Sequence, residues 1–472
     1  MILHRFRALQ AMLHRFRQCV VTDWHTHKYC FWGILLLILT IIPTVFYYLN
    51  YPRPEISVDT PTYLRVANRL LTQPYLLVDI SRLPGYPLLI VLTYGVAGKN
   101  NLMAVSIVQA ILFVLTTLEI YVLAILLFKR TWIALLIGLL VGTNLVILSY
   151  VKPIMSEGLA MWELTTLALA VVYFIRTTSR FRYVVFCLLP LMFTRPEWIY
   201  LPLPLFAYLL LIAWRRGYIR HFLKKAIIAS ALLYALVGCY IGYNALFNHY
   251  PGLTSVENLN WLGKVLQYNM WQEAPPDAQH ISQQLDYYVV RVDKDPYHLL
   301  PHIPELMQDN QLVGRFAMSI ILRHPIEFLL KSVPYFFASL TSYFDAYRPN
   351  IPGPYDISLS WLKSIHHWLY NINVLFPFCA AFWLVLLFWR RFKERQMVLE
   401  MGAIILLTLY GLIITTLAGY RLDDYTRFHT VFDPLLLLVI WGSILLCVQW
   451  LAQQGLRIVR ATYKRNLTDK AV

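Results

Sequence analysis

Apolar residues in this chain come in long runs, parted by short stretches rich in Lys, Arg, Asp and Pro. A helix needs about 20 mostly apolar residues to cross a bilayer. Ten segments reach or approach that length: 31–49, 102–128, 131–151, 157–175, 181–194, 196–213, 226–247, 371–389, 398–418 and 431–452. The fifth has 14 residues and contains Pro190. Two more apolar stretches, 86–97 and 326–344, are predicted not to span. The first has only 12 residues, while the second carries Lys331 and Pro334 and reads as an amphipathic helix at the interface. The pattern predicts an all-α polytopic membrane protein of about ten to twelve transmembrane helices.

Basic residues beside the spans set the orientation. Arg5, Arg7, Arg15, Arg17 and Lys28 precede the first span. Lys129-Arg130, Arg176/Arg180/Arg182, Arg215/Arg216/Arg220/Lys224/Lys225, Arg390/Arg391/Lys393/Arg395 and Arg457/Arg460/Lys464/Arg465 follow. With ten spans every cluster falls on one side, and counting only one of the two doubtful stretches would break that agreement. Both termini are therefore expected in the cytoplasm, with outward loops at 50–101, 248–370 and 419–430. The first helix follows a basic tail and precedes no A-x-A-like site, so it reads as an uncleaved anchor. Four units result: a basic tail 1–30, a transmembrane module 31–247, an extracytoplasmic loop 248–370 and a C-terminal module 371–472. The near-repeat Leu-His-Arg-Phe-Arg at 3–7 and 13–17 is read as part of the topogenic tail.

Composition agrees. Only 14% of residues are charged and 58% are hydrophobic, against about 25% charged in a soluble domain, which excludes a soluble multidomain enzyme. The net charge of +16 divides unequally: the inward segments carry +20 and the remainder −4. The excess reports orientation, and a nucleic-acid partner is not expected. The six cysteines show no C-x-x-C pair and no metal spacing with His, so neither a disulfide framework nor a structural zinc is predicted. No Walker loop, dinucleotide fingerprint, H-E-x-x-H or G-x-S-x-G occurs. The only N-x-[ST] sequon, at Asn466, falls on the inner side, which fits a bacterial inner membrane.

Candidate chemistry concentrates in loop 50–101. Residues Thr60 to Leu71 read as an amphipathic helix with Tyr63, Ala67, Leu70 and Leu71 on one stripe. Asp59 stands before Thr60-Pro61, a good N-cap position, so capping alone would account for it. Two pieces of the loop, Asp59-Thr60-Pro61-Thr62-Tyr63 and Arg82-Leu83-Pro84-Gly85-Tyr86-Pro87, carry a resemblance. Their order resembles the first loop of bacterial GT-C-type glycosyltransferases related to protein O-mannosyltransferases and lipid A aminoarabinose transferases. Pro153-Ile154-Met155-Ser156-Glu157, Thr194-Arg195-Pro196 and Tyr425-Thr426-Arg427-Phe428 before Pro434 are similar to later elements of that family. The chain departs from many members in lacking a second acid beside Asp59, where Val58 and Thr60 stand. A two-carboxylate metal site in this loop is therefore not expected.

The resemblance implies sugar transfer from a polyprenyl-phosphate donor to an acceptor hydroxyl on the extracytoplasmic side, with inversion. Such a reaction needs a base for the hydroxyl proton and positive charge for the phosphate. It needs no nucleotide loop, because the sugar arrives on lipid. Asp59 is the expected base, Asp79 its competitor, and Glu157 a second catalytic acid whose plainer role is to favour a helix N-terminus. Arg82, Arg195, Arg427 and Lys152 are the phosphate candidates, and Tyr63, Tyr86, Asp79 and Glu197 the pocket candidates. The plainer alternatives are local ion pairs, Arg195 with Glu197 and Arg427 with Asp423 or Asp424, and an interfacial anchor for Lys152. Glu119 and Glu163, inside spans, are read as polar contacts between helices. No cofactor is required on this view, and a divalent metal is left open. The acceptor, whether lipid, glycan or protein, is not legible. A polysaccharide polymerase or ligase and a lipid-linked-sugar transporter are the competing classes, the latter weakened by the lack of visible internal repeats.

Overall fold

The computed structural model describes residues 28–73, 78–341, 353–389 and 395–468. The basic tail before Lys28 with its near-repeat, and Arg390, Arg391 and Lys393, lie outside them. Ten helices make the first part: α1 (Lys28–Asn50), α2 (Thr60–Thr72), α3 (Gly85–Ala97), α4 (Leu102–Phe128), α5 (Thr131–Gly142), α6 (Leu145–Val151), α7 (Glu157–Thr177), α8 (Arg182–Thr194), α9 (Pro202–Arg215) and α10 (Ile219–Asn248). Six follow in the long loop: α11 (Ser255–Gln267), α12 (Gln279–Arg291), α13 (Pro296–Leu299), α14 (Pro304–Gln308), α15 (Asn310–Arg323) and α16 (Pro325–Thr341). The last five are α17 (Asp356–Tyr370), α18 (Phe376–Phe388), α19 (Gln396–Ala418), α20 (Leu422–His429) and α21 (Asp433–Thr468). Among the described residues the only β-type pairing is an isolated parallel bridge between Glu55 and Pro153.

Eight stretches among the described residues are long and apolar enough to cross a membrane, nine if α5 and α6 count as one. Their burial sorts them. The apolar windows of α7 and α19 are 72% and 67% buried inside the protein, whereas those of α1 and α10 are 17% and 28% buried. The first pair forms the centre of the bundle and the second pair its lipid-facing rim, since apolar side chains at the rim meet hydrocarbon at no cost. α4 packs on α5 and α7, α7 on α8 and α19, and α19 on α21.

One expected span is not continuous. The run 131–151 is bent by 51° between α5 and α6. The cause is Asn144, whose side chain accepts from the backbone N–H of Val146 (3.0 Å) and Ile147 (3.3 Å) and so starts a new helix inside an apolar run. The short segment at 181–194 is α8, 13 residues with Pro190 inside, about 20 Å long. α3 also has 13 residues and α16 has 17, so by length and composition none of the three reaches a span, and the expected span at 181–194 falls short with the two stretches predicted not to cross. α16 leaves Ile326, Leu329, Leu330, Val333 and Phe337 exposed along one stripe, as an interfacial helix would.

Loop 248–370 divides in two. Residues of α11 to α16 enclose a separate apolar core that includes Leu262, Leu266, Met270, Leu285, Leu299 and Phe316, and this makes a helical cap. Its last helix, α17, belongs to the bundle instead: Asn50 Nδ2 and Tyr51 Oη each donate to Asp356 Oδ1 at 2.9 Å. At one end of the bundle Arg176 Nε and Nη2 hold the buried Glu400 carboxylate at 2.6 and 2.8 Å. Glu157 starts the helix that Arg176 all but ends, roughly 30 Å away at 1.5 Å per residue. The cluster described next lies at that far end.

Candidate active site

The Arg-Leu-Pro-Gly-Tyr-Pro element builds the site's floor. Pro84 caps α3, and Gly85 lets the helix end approach α8 so closely that a Cβ there would lie 2.7 Å from Phe193 O and 2.8 Å from Thr194 Cα. Tyr86 Oη donates to Gln109 Oε1 at 2.9 Å. Gln109 Nε2 in turn donates to the carbonyls of Val151 (2.6 Å) and Pro153 (2.8 Å), fastening the turn that leads into Glu157. Thr60 Oγ1 donates to Ile154 O at 3.1 Å, and Tyr63 Oη and Ser156 Oγ are 3.0 Å apart. The first loop and the turn 152–156 are thus locked together around α2.

On this floor six charged side chains form a ladder. Arg82 bonds one Asp59 oxygen and Arg427 the other. Arg427 Nε also bonds Glu157 Oε1. Arg195 Nη1 stands 3.2 Å from the same Glu157 oxygen, and Arg195 Nε bonds Glu197. Three guanidiniums and three carboxylates alternate, so the cluster is neutral. Arg82 also lies over the Tyr63 ring at 4.5 Å, and Arg195 over Phe428 at 5.0 Å. Glu157 is fully buried and Arg195 is 5% exposed, while Asp59 and Arg427 keep 22% and 19% of their side chains open. Arg195 Nη1 and Glu157 Oε2 are buried without a hydrogen-bond partner. Arg195 Nη1 is held there by the ion pair with Glu157 alone.

Several plainer expectations fail here. Asp59 does not cap α2 with its side chain; both its oxygens face arginines. Glu157 does begin a helix, yet its partners are Arg427 and Arg195 rather than the helix end alone. Arg195 pairs with its neighbour Glu197 and with Glu157 as well. Of the predicted stripe on α2, Tyr63, Ala67 and Leu70 are buried, but Leu71 is exposed and Val66 is buried in its place.

Three predicted site residues lie apart from the ladder. Lys152, 1% exposed, pairs with Glu55 at 3.5 Å and donates to Arg53 O at 2.7 Å, bracing the loop that contains the Glu55–Pro153 bridge. Asp79 pairs with Arg69 at 3.1 Å and accepts from Ser81 N at 2.7 Å, so it closes the end of the first loop instead of joining Asp59. Tyr86 is fully buried behind Tyr63, ring centroids 4.9 Å apart. It is a core residue, not a pocket wall. Glu119 and Glu163 accept from Thr166 and Thr194 hydroxyls, each at 3.0 Å, as helix-to-helix polar contacts do.

Two supports of Arg427 escaped the sequence. Behind α20, His429 Nδ1 lies 2.8 Å from Asp433 Oδ1, and Tyr370 Oη donates to Asp433 Oδ2 at 2.7 Å. The i,i+4 spacing of His429 and Asp433 was visible, but a histidine two residues after a candidate arginine carried no weight alone. On the cap side, Lys264 Nζ donates to Tyr425 Oη and Gln267 Oε1, each at 2.9 Å. Its ammonium sits 5.0 to 5.4 Å from the rings of Tyr268, Tyr335 and Tyr425. Burial lowers the Lys264 pKa to about 7, against the opposing pull of Asp424. No sequence signal gathers these tyrosines.

The electrostatics of Asp59 follow from its place. Burial disfavours its charge, but Arg427 and then Arg82 outweigh that cost and hold the carboxyl well below the usual carboxylate range. Among the described residues no three His, Cys, Asp or Glu side chains come together as a metal site.

No protein-family model matches the chain, and no curated protein matches it. Among solved structures it is similar to the archaeal oligosaccharyltransferase AglB from Archaeoglobus fulgidus in complex with an inhibitory peptide and a dolichol-phosphate, at 11% identity and a TM-score of 0.46, over 88% of this chain and 50% of that one. It is also similar to the Archaeoglobus fulgidus oligosaccharyltransferase in the apo form, at 14% identity and a TM-score of 0.45, over 88% and 51%. The chain spans about half the length of both. Likeness at that level carries nothing about the site, whose chemistry rests on its own residues.

Proposed function

We propose that the chain is a membrane glycosyltransferase that moves a sugar from a polyprenyl-phosphate donor to an acceptor hydroxyl on the outward side, with inversion. The observation behind this is the ladder itself. Asp59, Arg82, Glu157, Arg195 and Arg427 come from separate segments and meet at one end of the bundle. Guanidiniums suit phosphate oxygens, and a carboxylate beside them suits the acceptor hydroxyl.

The chemistry balances without a general acid. The acceptor oxygen attacks the anomeric carbon from the face opposite phosphate, and its proton passes to Asp59. The bond between the anomeric carbon and the phosphate oxygen breaks, and its electron pair stays on the polyprenyl phosphate, which Arg82 and Arg427 stabilise. Arg195 holds a further phosphate oxygen, and Glu157 keeps Arg427 and Arg195 in register. Paired in this way Asp59 is a poor base, because two arginines hold its charge. An incoming phosphate competes for those same arginines, and as they turn to it Asp59 regains basicity. Donor binding thus prepares the base.

The partners on this view are a polyprenyl-linked sugar, an acceptor lipid, glycan or protein, and a bacterial inner membrane with both termini cytoplasmic. The test is Asp59→Asn in proteoliposomes with a labelled polyprenyl-phosphate sugar. Transfer is expected to fall at least about 100-fold, the scale of a lost general base. Undiminished transfer removes Asp59 as the base. A labelled lipid that crosses the bilayer with no new glycosidic bond would make the protein a transporter instead.

A further inference from the structure

Arg427 sits on α20, a helix of eight residues, too short to be stable alone. The cap grips it at three points. Asp295, which caps α13 by accepting from Tyr297 N at 3.0 Å, receives Arg421 Nη1 at 3.0 Å, and Arg421 immediately precedes α20. Gly263 of α11 meets the Tyr420 ring so closely that no Cβ would fit between them. Lys264 Nζ donates to Tyr425 Oη at 2.9 Å, within α20 itself.

The third grip is a closed ring. Lys264 Nζ and Tyr425 Oη both donate to Gln267 Oε1, at 2.9 and 3.1 Å, and Lys264 and Tyr425 are fully buried. Tyr268 beside the ammonium is fixed in turn to α16: its Oη donates to Ser332 Oγ and its carbonyl accepts from Lys331 Nζ, each at 3.0 Å. Lys264, Gln267 and Tyr268 belong to the cap, and Tyr425 to α20. Successive helix residues turn by about 100°, so Tyr425 and Arg427 leave α20 about 200° apart. The cap holds one face of the helix, and the opposite face presents Arg427 to Asp59 and Glu157. An apolar side chain at position 264 would avoid the cost of a buried ammonium; what the ammonium adds is a fixed place for the Tyr425 hydroxyl.

We propose that Lys264 is a positioning residue for sugar transfer: through Tyr425 it sets the rotation of α20 and so the place of Arg427 in the ladder. This rests on the glycosyltransferase proposal and gives the cap a part in it, as the clamp that aims the phosphate-binding arginine. The grips at Arg421 and Tyr420 do not pass through Lys264, so they keep α20 against the cap when Lys264 is changed, and what is lost is its rotation.

The test is a double-mutant cycle on the full chain in proteoliposomes, with a labelled polyprenyl-phosphate hexose as donor, joining Lys264→Met and Arg427→Gln. In the wild-type background Lys264→Met should lower kcat about 10- to 100-fold and leave the donor KM within about twofold, since a displaced Arg427 fails the charge that develops on the leaving phosphate. In the Arg427→Gln background the same change should cost less than about twofold. Tyr425→Phe keeps the ring and loses only the hydroxyl; it should repeat the pattern at about tenfold, and it carries the cycle if Lys264→Met does not fold. Losses of equal size in both backgrounds, a loss confined to KM, or no loss in the wild-type background each overturn the positioning role. If the wild-type protein transfers no sugar, the glycosyltransferase proposal itself fails, and the positioning role with it.

Discussion

Removing Arg427 separates a catalytic role from a structural one, because both leave distinct marks. Among the described residues its guanidinium alone joins Asp59 to Glu157. In Arg427→Gln each acid keeps one partner, Arg82 for Asp59 and Arg195, at 3.2 Å, for Glu157. Neither carboxylate is left bare, so the stability loss should sit near the low end for breaking a buried pair, about 3 kcal/mol. The catalytic loss should be larger. If Arg427 holds the leaving phosphate, it acts on charge that develops in the transition state, and kcat should fall about 100- to 1,000-fold, or roughly 3–4 kcal/mol. Arg427→Lys keeps the charge but cannot bond two acids at once from a planar fork, so its kcat should lie between the two. The assay is initial-rate transfer in proteoliposomes over a range of donor concentrations, with thermal unfolding of the same preparations. An Arg427→Gln protein that unfolds earlier yet keeps kcat/KM within about threefold of wild type would refute the reasoning. Arg427 would then be a strut.

Two further substitutions test the scaffold. Gly85→Ala places a Cβ 2.5 Å from Thr194 Oγ1 and 2.7 Å from the Phe193 carbonyl, which should cost about 1–3 kcal/mol. By shifting the turn that presents Arg195 it should also lower transfer up to about 100-fold; unchanged transfer and unfolding would show that α3 and α8 are not held this closely. Lys264 tests the cap. Its pKa falls from 10.5 to about 7 in the folded chain, so between those values the unfolded chain binds more protons and stability rises with pH. The penalty is complete below about pH 7, at roughly 5 kcal/mol. Between pH 7 and pH 9 the wild-type protein should therefore gain roughly 2–3 kcal/mol relative to Lys264→Met, read from unfolding midpoints at both pH values. Parallel pH profiles for the two proteins would sink the account.

The fold was legible where one physical signal dominates. Runs of about 20 apolar residues find helices such as α4, α7 and α19, because the cost of bare backbone in lipid leaves no other structure for them. The break between α5 and α6 was hidden by the same signal. Gly142-Thr143-Asn144 is a helix stop followed by a cap, but it lies within an apolar run that averages to a single span. On α2 the stripe was one position off, since burial there is decided by α3, which packs across it, and not by periodicity alone.

The site was legible to a different depth for each residue, and the reason is sequence distance. Asp59 and Arg82 are 23 residues apart in one loop, and their motif marked them together. Arg427 reaches Asp59 across 368 residues and Glu157 across 270, contacts that no spacing encodes. From sequence, each of these residues had a nearer partner that seemed sufficient: a helix end for Asp59 and Glu157, Glu197 for Arg195, Asp423 or Asp424 for Arg427. Asp79 shows when a local partner is enough, since Arg69 and Ser81 lie in its own loop; Lys152 is no interfacial anchor but a buried cation that pairs with Glu55 and donates to Arg53 O, 99 residues away. The ladder residues differ in that a local partner does not exhaust them: Arg195 holds Glu197 and still points a buried nitrogen at Glu157 without a hydrogen bond. Its second partner lies 38 residues from it, at the start of α7, where no neighbour in sequence would place it. That surplus of contacts over what a local partner supplies, more than the motif, is what sets this end of the bundle apart from the loops around it.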